Sequence, residues 1–153
     1  MIPASQAERS LQEIYSFYVN SYIQPRKHYD TFENVNDRRL TFQPFILFMK
    51  NFNLLKTIFP LDKVKLLFKK FSNYGQYLTQ ENFIFLINEL AHEPEAKKFF
   101  KIGEISERAA INVEMMDELE RQELYTYMEL EDPNKYRRKF KNIFEPFNCH
   151  DKP

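Results

Sequence analysis

Residues 40–49 read LTFQPFILFM, and residues 78–87 read LTQENFIFLI. Both segments follow the template Leu-Thr-x-x-x-Phe-Ile, continue with apolar residues at helical spacing, and start 38 positions apart (78 − 40). A phrase that recurs at such a distance indicates a repeated helix–loop–helix unit. The sequence therefore predicts an all-α protein that is organised around two copies of this unit.

Around the repeat, apolar residues at three- and four-residue spacing predict four helices with short joints between them. These helices form a predicted N-terminal lobe, residues 5–92. Thr41 and Thr79 stand where N-cap residues are expected before the two repeat helices, and Asp62 stands in the same place before the helix between them. We expect the phenylalanine and leucine side chains of these helices to form the core.

The remaining residues, 93–153, are predicted to form a helical extension with a different composition. A short helix ends near Gly103, and a long acidic helix runs from Ser106 to about Leu130. Between Glu104 and Asp132 the chain has ten acidic and only two basic residues. A short basic helix and an extended C-terminal tail complete the predicted architecture.

Composition limits the classes of function that are plausible. The 153 residues carry 22 basic and 22 acidic side chains, so no net charge steers the protein toward nucleic acid or membrane. A hydrophobic content of 43%, with 16 Phe and 9 Tyr, predicts a folded chain. Cys149 is the only cysteine, which excludes an intramolecular disulfide and favours a reducing compartment. With no signal peptide or membrane span evident, the expected location is the cytoplasm.

Enzyme chemistry finds little support in the sequence. His28, His92 and His150 are scattered, and none has an Asp or Cys partner at the spacing of metal ligands. Cys149 and His150 are neighbours in the tail, where adjacent residues rarely form a nucleophile–base pair. The chain has only two glycines, so a glycine-rich phosphate loop is excluded. We expect a non-catalytic protein without metal or cofactor.

The repeat phrase resembles the second half of an EF-hand. In EF-hands an apolar residue at loop position 8 forms a small β-bridge between paired loops, and an aromatic residue at position 13 begins the exiting helix. Leu40 with Phe45, and Leu78 with Phe83, keep this five-residue spacing. The resemblance covers roughly residues 8–91 and implies an EF-hand-like pair in which these four residues define the fold.

The same comparison argues against calcium binding. A working loop needs several side-chain oxygens and a bidentate Glu at its twelfth position, but Pro44 and Asn82 occupy the twelfth positions here. The second loop, from Ser72, is one residue short, because Leu78 is its seventh residue instead of its eighth. Residues 30–37 of the first connection include Asp, Glu and Asn without the alternating spacing of ligands. We therefore expect a degenerate, metal-free pair.

A basic segment after the acidic helix is the predicted partner-binding site. Five of its seven residues are basic and the other two are aromatic. Such a segment suits nucleic acid, through phosphate contacts and stacking, or an acidic protein surface such as that of tubulin. Pairing with the preceding acidic helix is the simpler interpretation. The residues chosen as partner-binding are Lys135, Tyr136, Arg137, Arg138, Lys139 and Lys141.

A second resemblance suggests a cellular setting. The segment ERQELYTYMELEDPNKYRRKFK, residues 120–141, looks like ciliary and basal-body proteins of protists that carry degenerate EF-hand modules. This implies a structural subunit of a ciliary axoneme or other microtubule assembly, with tubulin or other axonemal proteins as partners. The alternatives are an accessory subunit of another large complex, such as a mitochondrial one, and a calcium-sensor-like regulator.

Overall fold

The computed structural model describes residues 4–21 and 39–135, and this part of the chain is predominantly helical, which confirms the all-α prediction. A two-stranded sheet is formed by β1 and β2. The elements are α1 (Ala4–Ser21), β1 (Leu40–Thr41), α2 (Phe42–Asn51), α3 (Leu61–Phe71), β2 (Tyr77–Leu78), α4 (Gln80–Ala91), α5 (Pro94–Phe99), α6 (Ile102–Ala109) and α7 (Val113–Glu131).

The two repeat phrases meet in the sheet. The strands are antiparallel, with Leu40 opposite Leu78 and Thr41 opposite Tyr77. Each strand leads directly into a helix, so the pairing fixes where α2 and α4 begin. Both leucines are buried, whereas Thr41 is exposed, so the sheet contributes its two leucine side chains to the core.

The two helix starts differ in their caps. The Thr79 hydroxyl accepts a hydrogen bond from the Asn82 backbone N–H at 3.2 Å, as predicted. Thr41 occupies the N-cap position of α2, but its side chain accepts no such bond. The equivalent donor would belong to Pro44, which has no N–H, so the hydroxyl has nothing to accept from there.

The predicted cap of α3 is wrong by two residues. Pro60 occupies the N-cap position of this helix, and Asp62 lies in its first turn. A carboxylate in the first turn is still favourable, because the unpaired N–H groups there carry partial positive charge.

An aromatic cluster fills the core between α1, α2 and α4. The buried Phe48 ring lies 4.9 Å from Phe52, 5.3 Å from Phe83 and 5.7 Å from Tyr18, measured between ring centroids. Edge-on and tilted ring pairs of this kind add about 1 kcal/mol each beyond the burial of their area. Aromatic packing therefore holds the helices around the sheet.

Two tyrosine hydroxyls connect α1 to this core. The buried Tyr15 hydroxyl donates to the Leu78 carbonyl at 2.9 Å, next to the sheet. The Tyr18 hydroxyl accepts from the Asn51 side-chain amide at 2.8 Å. Since buried hydroxyl groups need partners, these two bonds fix both the depth and the rotation of α1 against the lobe.

The chain after Pro94 packs onto the lobe. Ala96 of α5, and Leu124 and Met128 of α7, belong to the same buried cluster as the phenylalanines. The inner face of α7 thus contributes to the core, although the helix is rich in acidic residues.

The long helix predicted from Ser106 is two helices. Ala110 adopts a left-handed conformation with φ 51° and ends α6, and the Asn112 side chain caps α7 by accepting from the Met115 N–H at 2.8 Å. The shorter helix before it, α5, ends at Phe99, Lys101 with φ 54° precedes α6, and Gly103 lies inside α6. Asn112 is a good N-cap residue, and it is the signal that could have located the break.

Replacing Leu78 by Ala is expected to lower the free energy of unfolding by about 3 kcal/mol, because it leaves a cavity where the sheet meets the core. The matched control is Leu66→Ala on α3, since Leu66 is 69% exposed. Its effect should stay below about 0.5 kcal/mol. Urea denaturation of both variants measures the difference, and similar losses would contradict this description of the core.

Candidate functional site

The second loop of the predicted pair is closed by its own polar groups. The Asn73 N–H donates to the Tyr77 carbonyl at 2.8 Å, and the Asn73 side-chain amide donates to the Tyr77 hydroxyl at 3.2 Å. The Asn82 amide donates in turn to the Asn73 side-chain oxygen at 3.4 Å. Gly75, with φ 72°, supplies the left-handed turn at the tip. Hydrogen bonds therefore bridge the loop where a calcium-binding loop would use an ion.

The first connection, residues 30–37, lies outside the described residues, as do His28, Cys149 and His150. Within residues 4–21 and 39–135, no group of three or more His, Cys, Asp or Glu side chains is arranged to hold a metal ion.

The predicted partner-binding segment is described only at its first residue. The Lys135 ammonium lies 3.9 Å from a Glu129 carboxylate oxygen, a loose pair that leaves both side chains partly exposed. Just before it, the Asp132 carboxylate accepts from the Asn134 N–H at 2.9 Å. The other five residues, Tyr136, Arg137, Arg138, Lys139 and Lys141, lie outside the described residues.

A charged cluster joins the end of α4 to α7. The two ring nitrogens of His92 each lie 2.8 Å from a carboxylate oxygen, Nδ1 from Glu120 and Nε2 from Asp117. Lys97 of α5 approaches the other Glu120 oxygen at 3.8 Å, and Arg121 pairs with Asp117 at 3.1 Å. An imidazole ring donates to both carboxylates only in its doubly protonated form. This cluster, which we call the His92 clamp, ties the acidic helix to the lobe.

The two carboxylates of the His92 clamp differ in their surroundings. Glu120 is only 4% exposed, whereas the Asp117 side chain is 52% exposed. A buried carboxylate is costly without a partner, so Glu120 depends on His92 far more than Asp117 does. In the sequence, His92 is one of three scattered histidines without a partner at the spacing of metal ligands. Asp117 and Glu120, three residues apart on one helix face, were the only local hint of a partner.

Two tyrosines of α7 add polar contacts with the lobe. The Tyr125 hydroxyl donates to the Asn88 side-chain oxygen, and the Tyr127 hydroxyl donates to the Asn53 carbonyl at 2.8 Å. The Asn53 amide reaches Glu131 at 2.7 Å. Burial raises the pKa of both phenols above the usual value, and the negative charge of Glu131 raises the pKa of Tyr127 further.

A third charged contact ties α3 to the segment around Pro94. Lys63 lies 2.9 Å from Glu93 and 3.3 Å from Glu95. The hydrogen bond with Glu93 is the main reason that the pKa of the Lys63 ammonium is raised. The contacts of Lys63, His92 and Lys97 each connect one helix or its end to another, so they hold α3, α4, α5 and α7 together.

Comparison with known protein families, curated proteins and solved structures finds no match to this chain. In the described part of the chain, no helix is both long enough and apolar enough to cross a membrane.

Calcium is expected to produce no change in the protein. The oxygen of Asn73 already accepts a hydrogen bond from Asn82, and Asn82 supplies no carboxylate at the twelfth position. Titration calorimetry and far-ultraviolet circular dichroism of the full chain should show no binding heat and no change in helix signal. Binding heat with saturation would contradict a metal-free lobe.

The His92 clamp can be tested by unequal losses of stability. His92→Ala removes the main partner of a buried carboxylate and should lower the free energy of unfolding by about 3 kcal/mol. Asp117→Ala removes an exposed partner and should cost at most about 1 kcal/mol. Adding Glu120→Gln to His92→Ala should recover part of the loss, because a neutral amide is cheaper to bury. Equal losses, or no recovery, would show that Glu120 does not depend on His92.

Proposed function

We propose that this protein is a non-catalytic structural subunit that works as a protein–protein interaction module, built on a degenerate EF-hand-like lobe. The observation that carries the proposal is the docking of α7. Leu124 and Met128 bury the inner face of this helix in the core, and the His92 clamp and two tyrosines hold its sides. The acidic outer face and the start of the basic segment are therefore presented in a fixed position.

The EF-hand-like character is supported by the positions of the four fold-defining residues. Leu40 and Leu78 pair across the sheet, and Phe45 and Phe83, five residues later in each repeat, are buried in the core. An EF-hand pair joined through its loops has this arrangement of apolar and aromatic residues.

A structural role is favoured over a sensory one by the second loop. A calcium sensor needs a loop that changes when the ion enters, but here Asn73 and Asn82 hydrogen-bond directly to each other. In addition, the charged contacts of Lys63 and His92 each connect one helix to another. Groups used in this way stiffen the lobe, as suits a subunit that supports its neighbours.

The proposed setting is a microtubule-based ciliary assembly, with tubulin or other axonemal proteins as partners. It is supported by the resemblance of residues 120–141 to protist ciliary and basal-body proteins, and by the basic segment within them. That segment begins at Lys135, whose only ion pair among the described residues is the loose one with Glu129. A lysine with such weak pairing suits an acidic partner.

The proposal is tested by expressing the tagged protein in ciliated cells, isolating axonemes with detergent and extracting them with increasing salt. We expect the protein to enter cilia and to stay on the axoneme through high salt. A variant with Ala in place of Lys135, Arg137, Arg138, Lys139 and Lys141 should be released at lower salt, because its electrostatic contacts are lost.

The matched control places Ala at five exposed basic residues elsewhere: Lys50, Lys56, Lys98, Lys101 and Arg108. It removes the same charge and should leave retention unchanged. Absence of the wild-type protein from cilia would overturn the setting, and co-purification with a different large complex would favour the accessory-subunit alternative. Equal release of both variants would exclude the basic segment as the binding site.

A further inference from the structure

The outer face of α3 presents two lysines with a leucine beside them. Lys65 and Lys69 are exposed and four residues apart, so they lie on one side of the helix. Leu66, 69% exposed, follows Lys65 directly. Neither lysine forms an ion pair with any residue in the described part of the chain, in contrast to Lys63 and Lys70 of the same helix. We call Lys65, Leu66 and Lys69 the basic face.

The first turns of α7 present the same pattern with the opposite charge. Glu114 and Glu118 are exposed and four residues apart, and Met115, 53% exposed, follows Glu114 directly. Neither glutamate forms an ion pair within the described residues, whereas Asp117 and Glu120 face the lobe in the His92 clamp. We call Glu114, Met115 and Glu118 the acidic face.

The two faces match in spacing as well as in charge. The basic face reads Lys-Leu-x-x-Lys and the acidic face reads Glu-Met-x-x-Glu. Two helices laid side by side in antiparallel fashion would bring each lysine opposite a glutamate and the leucine close to the methionine. A small interface has an apolar centre and a polar rim. In each face, the exposed apolar residue would form the centre and the two charged residues would form the rim.

From this complementarity we infer that the protein binds a second copy of itself, with the basic face of one copy docked on the acidic face of the next. Because the two faces are different surfaces, the contact is head-to-tail, and each added copy leaves one face of each kind free. Such a contact forms a row or a ring of subunits. A row of identical subunits suits a structural protein. The contact itself depends only on these two faces and not on the cellular setting proposed above.

The contact is expected to be weak and sensitive to salt. Its charges are exposed, and exposed ion pairs are weak because water and salt screen them. The Debye length falls from about 30 Å at 0.01 M salt to about 3 Å at 1 M salt, so association should disappear over this range. The zero net charge of the chain removes the general repulsion that would otherwise keep copies apart.

The experiment is sedimentation velocity of the purified full chain over a concentration series at low and at high salt. At low salt the average mass should rise above the 18.6 kDa of one chain as the concentration increases, and at high salt it should stay at that of one chain. The reversal Lys65→Glu with Lys69→Glu leaves two acidic faces, so this variant should remain monomeric. The reversal Glu114→Lys with Glu118→Lys leaves two basic faces and should also remain monomeric.

The decisive sample is the equal mixture of the two reversed variants. Each variant alone has two faces of the same charge. In the mixture, each acidic face of one variant can bind a basic face of the other, so association should return. The control Lys50→Glu with Lys98→Glu changes the net charge as much as the first reversal, at exposed sites on α2 and α5, and should associate like the wild type. Circular dichroism checks that every variant keeps its helix signal.

Recovery of association in the mixture supports docking between these two faces and cannot come from misfolding of either variant. A wild-type protein that stays monomeric at low salt overturns the inference. It is also overturned if association survives either reversal alone, or if the mixture of folded variants fails to associate.

Discussion

The antiparallel pairing of Leu40 with Leu78 is the contact on which the rest of the lobe depends. These residues begin the two repeats, so their pairing sets the starting points of α2 and α4 and the direction in which each helix leaves the sheet. Phe48 and Phe83 then meet in the aromatic core, and the Tyr15 hydroxyl binds the Leu78 carbonyl. A two-residue sheet contributes few hydrogen bonds of its own. It is stable because both of its leucines are buried under the aromatic side chains.

The second loop, from Ser72 to Leu78, holds its shape through hydrogen bonds of its own residues and of Asn82. In a calcium site the cation attracts oxygen ligands from both ends of the loop. Here the ends are joined by the Asn82 amide and the Asn73 oxygen, and Tyr77 binds Asn73 through both its carbonyl and its hydroxyl. These hydrogen bonds close the loop with the chain's own polar groups.

The docking of α7 combines an apolar inner face with polar contacts at its sides. The burial of Leu124 and Met128 stabilises the docked helix but does not fix its rotation. The bonds of His92 and Tyr127 determine how the helix is rotated. The buried Glu120 adds little net stability once its desolvation is counted. Any other rotation of α7 would leave this carboxylate without His92. The same rotation keeps Glu114 and Glu118 on the outside.

The helical class, the repeated phrase and the starts of the two repeat helices could be predicted from the residues alone. These features follow from local rules. Apolar spacing predicts which side of a helix is buried, and Thr79 caps α4 because its donor lies three residues away. The absent cap at Thr41 is local too, since Pro44 lacks the N–H that the hydroxyl would need. Asn112 carried the signal for the break before α7, but the run of helix-forming residues around it concealed that signal.

Only the tertiary structure decided which polar residues meet. His92 and Glu120 are 28 positions apart, and Tyr15 and Leu78 are 63 positions apart. No periodicity within one helix indicates such a pair, because it depends on how the helices are stacked and rotated against one another. For the same reason, composition marked α7 as acidic but could not tell which carboxylates hold it to the lobe and which, such as Glu114 and Glu118, face outward. The charge of each helix follows from its residues. The packing of its apolar face decides which of the charged side chains contact the lobe and which face outward.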